Sequence, residues 1–146
     1  METTTNLSKS NLEYGNLLSK KEWDLFVTFT YRNKITETQN RNNMNEIFNF
    51  SGINEMFWII EFAKGNYNLH THSLISTHKP KITEKYIKNY WTNIGRIDIV
   101  QYDKEYNLTL RKSQYEEGTG LPYYITKCIN YYNTDWDIQS KIKIDW

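Results

Sequence analysis

Only one of the 146 residues is a cysteine and only two are prolines. A single Cys128 excludes an intramolecular disulfide and any cysteine-cluster zinc site. No apolar run approaches the ~20 residues that a membrane-spanning helix needs. The opening METTTNLSKSNLEYG lacks the apolar centre of a signal peptide. An intracellular protein with no membrane partner is therefore the expectation. There is no internal repeat and no Pro/Gly/Ser-rich linker, so residues 1–146 read as a single domain. Residues 1–20 read as a polar lead-in, loose or partly helical, and residues 133–146 as a tail whose strand signal is an IKI near its end. An excess of charge of one sign is missing too. The net charge is +1, far from the strongly basic balance of many nucleic-acid binders. The distribution is less even, because residues 64–112 hold nine Lys/Arg against four Asp/Glu, while each flank carries a net −2. Hydrophobic residues make up 38% of the chain and aromatics 16%, so twelve Tyr, six Phe and five Trp must supply much of the core.

What is present alternates between strand-like and helix-like segments. Residues 23–31, WDLFVTFTY, are aromatic and β-branched and predict a strand. Residues 36–50 place Met44, Ile47 and Phe48 near helical spacing. INEMFWIIEFA at 53–63 reads as a long buried strand, Lys64-Gly65-Asn66-Tyr67 as a turn, and NLHTHSLIST at 68–77 as the returning strand. An amphipathic helix follows over 83–94, with Thr83 as N-cap and Gly95 at its end. RIDIVQY at 96–102 is a further strand, and 106–111 offers another. Residues 121–132, LPYYITKCINYY, form a helix with Pro122 in its first turn. Hairpin-linked strands with helices between them predict an α+β fold: a central antiparallel sheet of about five strands, helices mainly on one face.

The hairpin carries the first candidate chemistry. His70 and His72 are two apart on a strand, so both imidazoles point to the same face. If Gly65-Asn66 are the central residues of a two-residue turn, with Gly first as a type II′ turn prefers, Glu61 falls directly opposite His70. Directly opposed residues share a face about 5 Å apart. Glu61, His70 and His72 then form one cluster, while Trp58, Ile60 and Phe62 meet Leu69 and Ile75 on the other face. A carboxylate and two imidazoles with open positions suit a divalent ion such as Mn²⁺ or Mg²⁺ that must still bind substrate oxygens. Two surface histidines beside an exposed glutamate are the plain alternative.

The helix over 121–132 carries the second. Leu121, Ile125, Cys128, Ile129 and Tyr132 make its core stripe. Tyr124, Lys127 and Tyr131 share an adjacent flank. A phenol and an ammonium side by side suit phosphoryl chemistry, with the phenol attacking phosphorus and the cation holding a phosphate or lowering the phenol's pKa. Simple aromatic packing is the alternative in so tyrosine-rich a chain.

Together these segments resemble the HUH-type endonucleases, in particular the rolling-circle replication initiators. Phe26-Val27-Thr28-Phe29-Thr30 looks like their apolar-Thr strand. His70-Thr71-His72-Ser73-Leu74-Ile75 looks like the histidine pair followed by an apolar strand, and Glu61 matches the upstream acidic ligand of many members. Leu121-Pro122-Tyr123-Tyr124-Ile125-Thr126-Lys127 fits their apolar-x-x-Tyr-apolar-x-Lys helix motif. The resemblance spans residues 23–132 and implies a ferredoxin-like, RRM-like nuclease fold. It also implies metal-dependent, sequence-specific nicking of single-stranded DNA at a replication origin, through a 5′-phosphotyrosine that leaves a free 3′-OH. Glu61, His70 and His72 would hold Mn²⁺ or Mg²⁺, Tyr124 would be the nucleophile and Lys127 its helper. Lys79, Lys81, Lys85, Lys88 and Arg96 are candidates for the DNA backbone, and a separate helicase is a candidate partner. The compartment would be the cytoplasm of a prokaryotic host, or the nucleus if the replicon is a eukaryotic virus. Two departures stand out. Thr71 replaces the usual bulky apolar residue between the histidines, and Cys128 stands where two-tyrosine members have their second tyrosine.

Two other functions fit parts of the pattern. Single-tyrosine HUH transposases share the histidine pair, but commonly lack an acidic residue placed like Glu61 and the Tyr-x-x-Lys spacing. A non-catalytic single-strand-binding module would use the sheet's aromatics, such as Phe26, Tyr31 and Trp58, to stack bases.

Overall fold

Alternation of fully buried and half-buried positions marks the first strand. In LFVTFTY, the side chains of Leu25, Val27, Phe29 and Tyr31 are buried, and those between are half-buried. A computed structural model of the chain describes residues 9–62, 69–101 and 134–141. Its elements are α1 (Lys9–Ser19), β1 (Leu25–Tyr31), α2 (Glu37–Phe48), β2 (Ile53–Phe62), β3 (Leu69–Thr77), α3 (Pro80–Trp91), β4 (Gly95–Gln101) and β5 (Trp136–Ser140). The five strands form one antiparallel sheet in the order β4-β1-β3-β2-β5.

β1-α2-β2 and β3-α3-β4 are two interlocked crossovers, each straddling a strand of the other. That β-α-β-β-α-β order is ferredoxin-like, here extended by α1 and β5. Both crossover helices pack on one face, where Met44, Ile47, Ile87 and Trp91 join Val27, Phe29, Trp58 and Ile60 in the main core. α1 lies on the other face, where Leu18 and Trp23 cover Phe57, Ile59 and Leu74. Each such fully buried side chain contributes roughly 1.5–3 kcal/mol by leaving water.

Local chemistry fixes the helix starts. Thr36 accepts from the backbone N–H of Gln39, and the Gln39 side chain accepts from that of Thr36, a reciprocal cap for α2. α3 begins at Pro80, three residues before the expected start, because proline's fixed φ suits a first helical turn. Thr83 is not its cap: it is fully buried and its hydroxyl bonds Thr77 at 2.8 Å. The lead-in is helical over Lys9–Ser19. The late edge strand is Trp136–Ser140, upstream of the IKI signal, which lies outside the described residues. The strand expected at 106–111, the turn at Gly65-Asn66 and the helix over 121–132 also lie outside them.

β2 contains an irregularity that the sequence does not announce. Ile53 pairs with Thr77, but Glu55 pairs with Ser76, so the register shifts by one between them. The shift lets Ile53 face the same core as Met56, Trp58 and Ile60, although strict alternation would turn it away. Among the described residues no helix is long and apolar enough to cross a membrane.

Candidate metal and nucleic-acid site

The register expected from the turn is the one observed. Glu61 pairs directly with His70, Ile59 with His72, and Phe62 with Leu69. Trp58, Ile60, Leu69 and Ile75 lie in the core as expected, whereas Phe62 at the strand's end is 54% exposed.

The ladders arrange the opposite face in rows. Arg96, Thr30, His70 and Glu61 form one row across β4, β1, β3 and β2. Asp98, Thr28, His72, Ile59 and Trp136 form the next. Val100, Phe26, Leu74, Phe57 and Ile138 form a third, apolar row, which α1 and Trp23 cover except at the exposed Val100. The polar rows lie toward the end where β1 and β2 finish.

His72 is held on several sides. Its Nε2 lies 3.7 Å from Glu61 Oε1, and its Nδ1 lies 3.3 Å from Thr28 Oγ1. The Phe26 ring stacks on it at 6.0 Å, with 7° between the planes. The hydroxyl on one ring nitrogen fixes which way the other faces, as second-layer partners of metal-bound histidines do. The sequence pattern places Thr28 and Phe26 in the apolar-Thr strand and Phe26 among the stacking aromatics, but not against His72, because the pairing of β1 with β3 is not a local property. The carboxylate and imidazoles are the right donors for Mn²⁺ or Mg²⁺, and their backbones are already side by side. Among the described residues, however, no three His, Cys, Asp or Glu side chains converge on one point. Gathering Glu61, His70 and His72 about an ion therefore requires side-chain rotation, with no change of strand register.

Thr71 faces away from this cluster, as expected from alternation. It is fully buried and donates to Asn40 Oδ1 at 2.6 Å, which also accepts from Tyr31 at 2.6 Å. A small hydroxyl thus stands between the histidines because α2 supplies a buried amide above it. Burial pushes the Tyr31 phenol well above its ordinary range.

The basic candidates divide. Lys81, Lys85 and Lys88 ride on α3 and Lys79 caps it, on the layer across the sheet from the histidines. Lys88 pairs with Glu84 at 3.2 Å. Arg96 alone stands in the row of His70 and Glu61. Two of the aromatics suggested for base stacking are unavailable: Trp58 is fully buried and Tyr31 is 4% exposed, because both belong to the helix-covered core.

Tyr124 and Lys127 lie outside the described residues. The chain after them re-enters the description at Thr134, beside the candidate cluster. Ile60 N–H donates to the Asp135 carbonyl at 3.2 Å, and Trp136 pairs with Ile59. Arg41 of α2 anchors this return by ion pairs to Asp135 at 2.6 Å and Asp137 at 3.2 Å, with its guanidinium over the Trp58 ring. Comparison with known proteins gives no matching family model and no significant match to a curated protein or to a solved structure.

Proposed function

We propose that this chain is a metal-dependent, site-specific endonuclease of the HUH type that nicks single-stranded DNA and initiates rolling-circle replication. The observation that carries the reading is the placement of Glu61 directly opposite His70 and 3.7 Å from His72, on a face that Thr28 and Phe26 help to order. A divalent ion bound there supplies Lewis-acid polarisation of the scissile phosphate. In the tautomer that binds an ion through Nε2, the Nδ1–H of His72 donates a hydrogen bond to Thr28 Oγ1 and so turns Nε2 toward the ligand position.

Tyr124 is the nucleophile in this reading. Its phenolic oxygen forms a bond to phosphorus as the bond from phosphorus to the 3′-oxygen breaks. The phenol proton ends on the departing 3′-hydroxyl, and the 5′ end stays on the tyrosine. Lys127 steadies the phosphate or the phenolate. Asp135 beside Ile60 supports the assignment, since it returns the chain to the Glu61 edge ten residues or so after the tyrosine. The covalent link conserves the phosphodiester, so a later 3′-hydroxyl can reseal the strand. The substrate is single-stranded DNA at an origin, with a helicase from another chain opening the duplex. A purely binding role has less support, because Trp58 and Tyr31 do not offer their rings to bases.

The test is a denaturing gel after incubation with Mn²⁺ and a pool of single-stranded oligonucleotides. A covalent protein–DNA band is expected for the wild type, with none for Tyr124→Phe or His72→Ala. A wild type without that band, under conditions where it binds the oligonucleotides, overturns the nicking activity.

A further inference from the structure

Gly95 opens β4 at a point where the backbone of β1 comes too close for any side chain. A Cβ there would lie 1.9 Å from the Thr30 carbonyl oxygen. That close approach is braced twice, by Arg32 N–H donating to Ile94 O at 3.0 Å and by the Trp91 indole N–H donating to Thr30 O at 3.2 Å. The two strands together frame a cavity of about 300 Å³ lined by Thr30, Tyr31, Arg32, Gly95 and Arg96. Two arginines and a threonine therefore line one space at the rim of the sheet, with no carboxylate among its walls. The volume is roughly ten times a water's share of the liquid, ample for a tetrahedral anion with a sugar attached.

The position of this cavity matters as much as its lining. Arg96 and Thr30 belong to the row that ends in His70 and Glu61. At ~4.8 Å per strand, β4 is ~10 Å from β3 and ~14 Å from β2. An arginine at that remove reaches a neighbouring phosphate of a strand whose scissile phosphate sits at the histidines. The fork of a guanidinium matches two phosphate oxygens at once, which a lysine cannot do. The lysines of α3 lie across the sheet and do not share the row.

We propose that Arg32, Arg96 and Thr30 form a subsite for one backbone phosphate of the bound DNA strand. The inference rests on the nicking reading for the strand's identity. It adds a direction: the substrate runs across the strands, from the rim between β1 and β4 toward β2. Thr30 donates its hydroxyl to a phosphate oxygen, and the two arginines neutralise the charge. Gly95 keeps β4 close enough to β1 for both arginines to serve one anion.

The experiment is binding of a fluorescent twelve-nucleotide oligo-dT to the full chain, without metal, as a function of salt. For single strands the logarithm of affinity falls with the logarithm of salt by about 0.7 per phosphate neutralised. Arg96→Gln and Arg32→Gln should each flatten the slope by about 0.7, and the double variant no further, because they share one phosphate. Arg96→Lys should keep the slope and still weaken binding, since it keeps the charge and loses the fork. Lys20→Gln, in the turn that follows α1, controls for loss of a positive charge elsewhere. Slopes unmoved in both glutamine variants, or equally moved by Lys20→Gln, overturn the subsite, as does a wild type with no salt-dependent binding. Adduct formation with Mn²⁺ is read separately. An adduct with unmoved slopes removes only the phosphate subsite, and flattened slopes without an adduct remove only the nicking.

Discussion

Two side chains, Tyr31 and Glu61, show what single residues do here and how far the sequence reveals it. The pairing of Glu61 with His70 follows from a local count across a short turn, so it could be read directly. The burial of Tyr31 could not, because it depends on α2 closing over the sheet and bringing Asn40 to its hydroxyl. That burial has a pH consequence. The folded state holds the phenol above its ordinary value, chiefly by desolvation. Below pH ~10 neither state is ionised and the stability is fully present. Above it, the unfolded chain loses a proton that the folded chain retains, so stability falls as pH rises. Chemical denaturation between pH 8 and pH 11 should show that fall. Tyr31→Phe should be less stable at pH 8 by about 1 kcal/mol, for the lost hydrogen bond to Asn40, and should decline less steeply. Tyr86 and Tyr90, also raised by burial and by Glu46, keep part of the slope. An unchanged slope in Tyr31→Phe would refute the assignment.

At the scale of elements, β5 is the least self-sufficient piece. It has five residues, all half-buried, and among the described residues a partner strand on one side only. Arg41 compensates by binding Asp135 and Asp137 together, and these carboxylates hold its guanidinium more firmly protonated than usual. Each pair is partly exposed, so each alone contributes under about 1 kcal/mol. Their joint effect, with the Trp58 contact, is local. Arg41→Met should cost about 1–2 kcal/mol overall but should strongly accelerate hydrogen exchange of the β5 amides, leaving β1 and β3 protected. Uniform loss of protection across the sheet would contradict this. None of it was readable in advance, since Arg41 stands 94 and 96 residues from its two carboxylates. The same distance explains why the edge strand was sought in the apolar IKI. Trp136–Ser140 alternates apolar and polar residues over only four positions, too short a run to stand out, and is a strand because β2 offers it an edge. The crossover helices, by contrast, were readable from spacing, and only their ends differ. Proline's geometry set the start of α3, and the buried Thr77 hydroxyl occupied Thr83.

For the whole molecule, a ligand that binds only the folded state stabilises all of it. Mn²⁺ at a hundred times its dissociation constant adds about 2.7 kcal/mol. For a chain of this length that is a rise in Tm of roughly 5–10 °C. His72→Ala, His70→Ala and Glu61→Ala should each lose most of the rise. Thr28→Val should lose part of it, corresponding to a ten- to hundredfold weaker site by analogy with second-layer ligands. A rise of wild-type size in all four variants would show that manganese binds elsewhere. The order of strands and helices was readable as a whole, because each hairpin and crossover obeys local periodicity. The rows across the sheet were not, because they need every strand's register at once. The register shift between Ile53 and Glu55 bears on how such a molecule tolerates change. It divides β2 into a stretch that answers to the core and a stretch that answers to the turn. A codon lost at Asn54 would straighten the strand, leaving Glu61 opposite His70 and Ile53 opposite Thr77 on the core face. A codon gained between Phe62 and Leu69 has no such slack to absorb it. It would have to be spooled into a longer loop, or else it would turn both histidines inward among the aromatics.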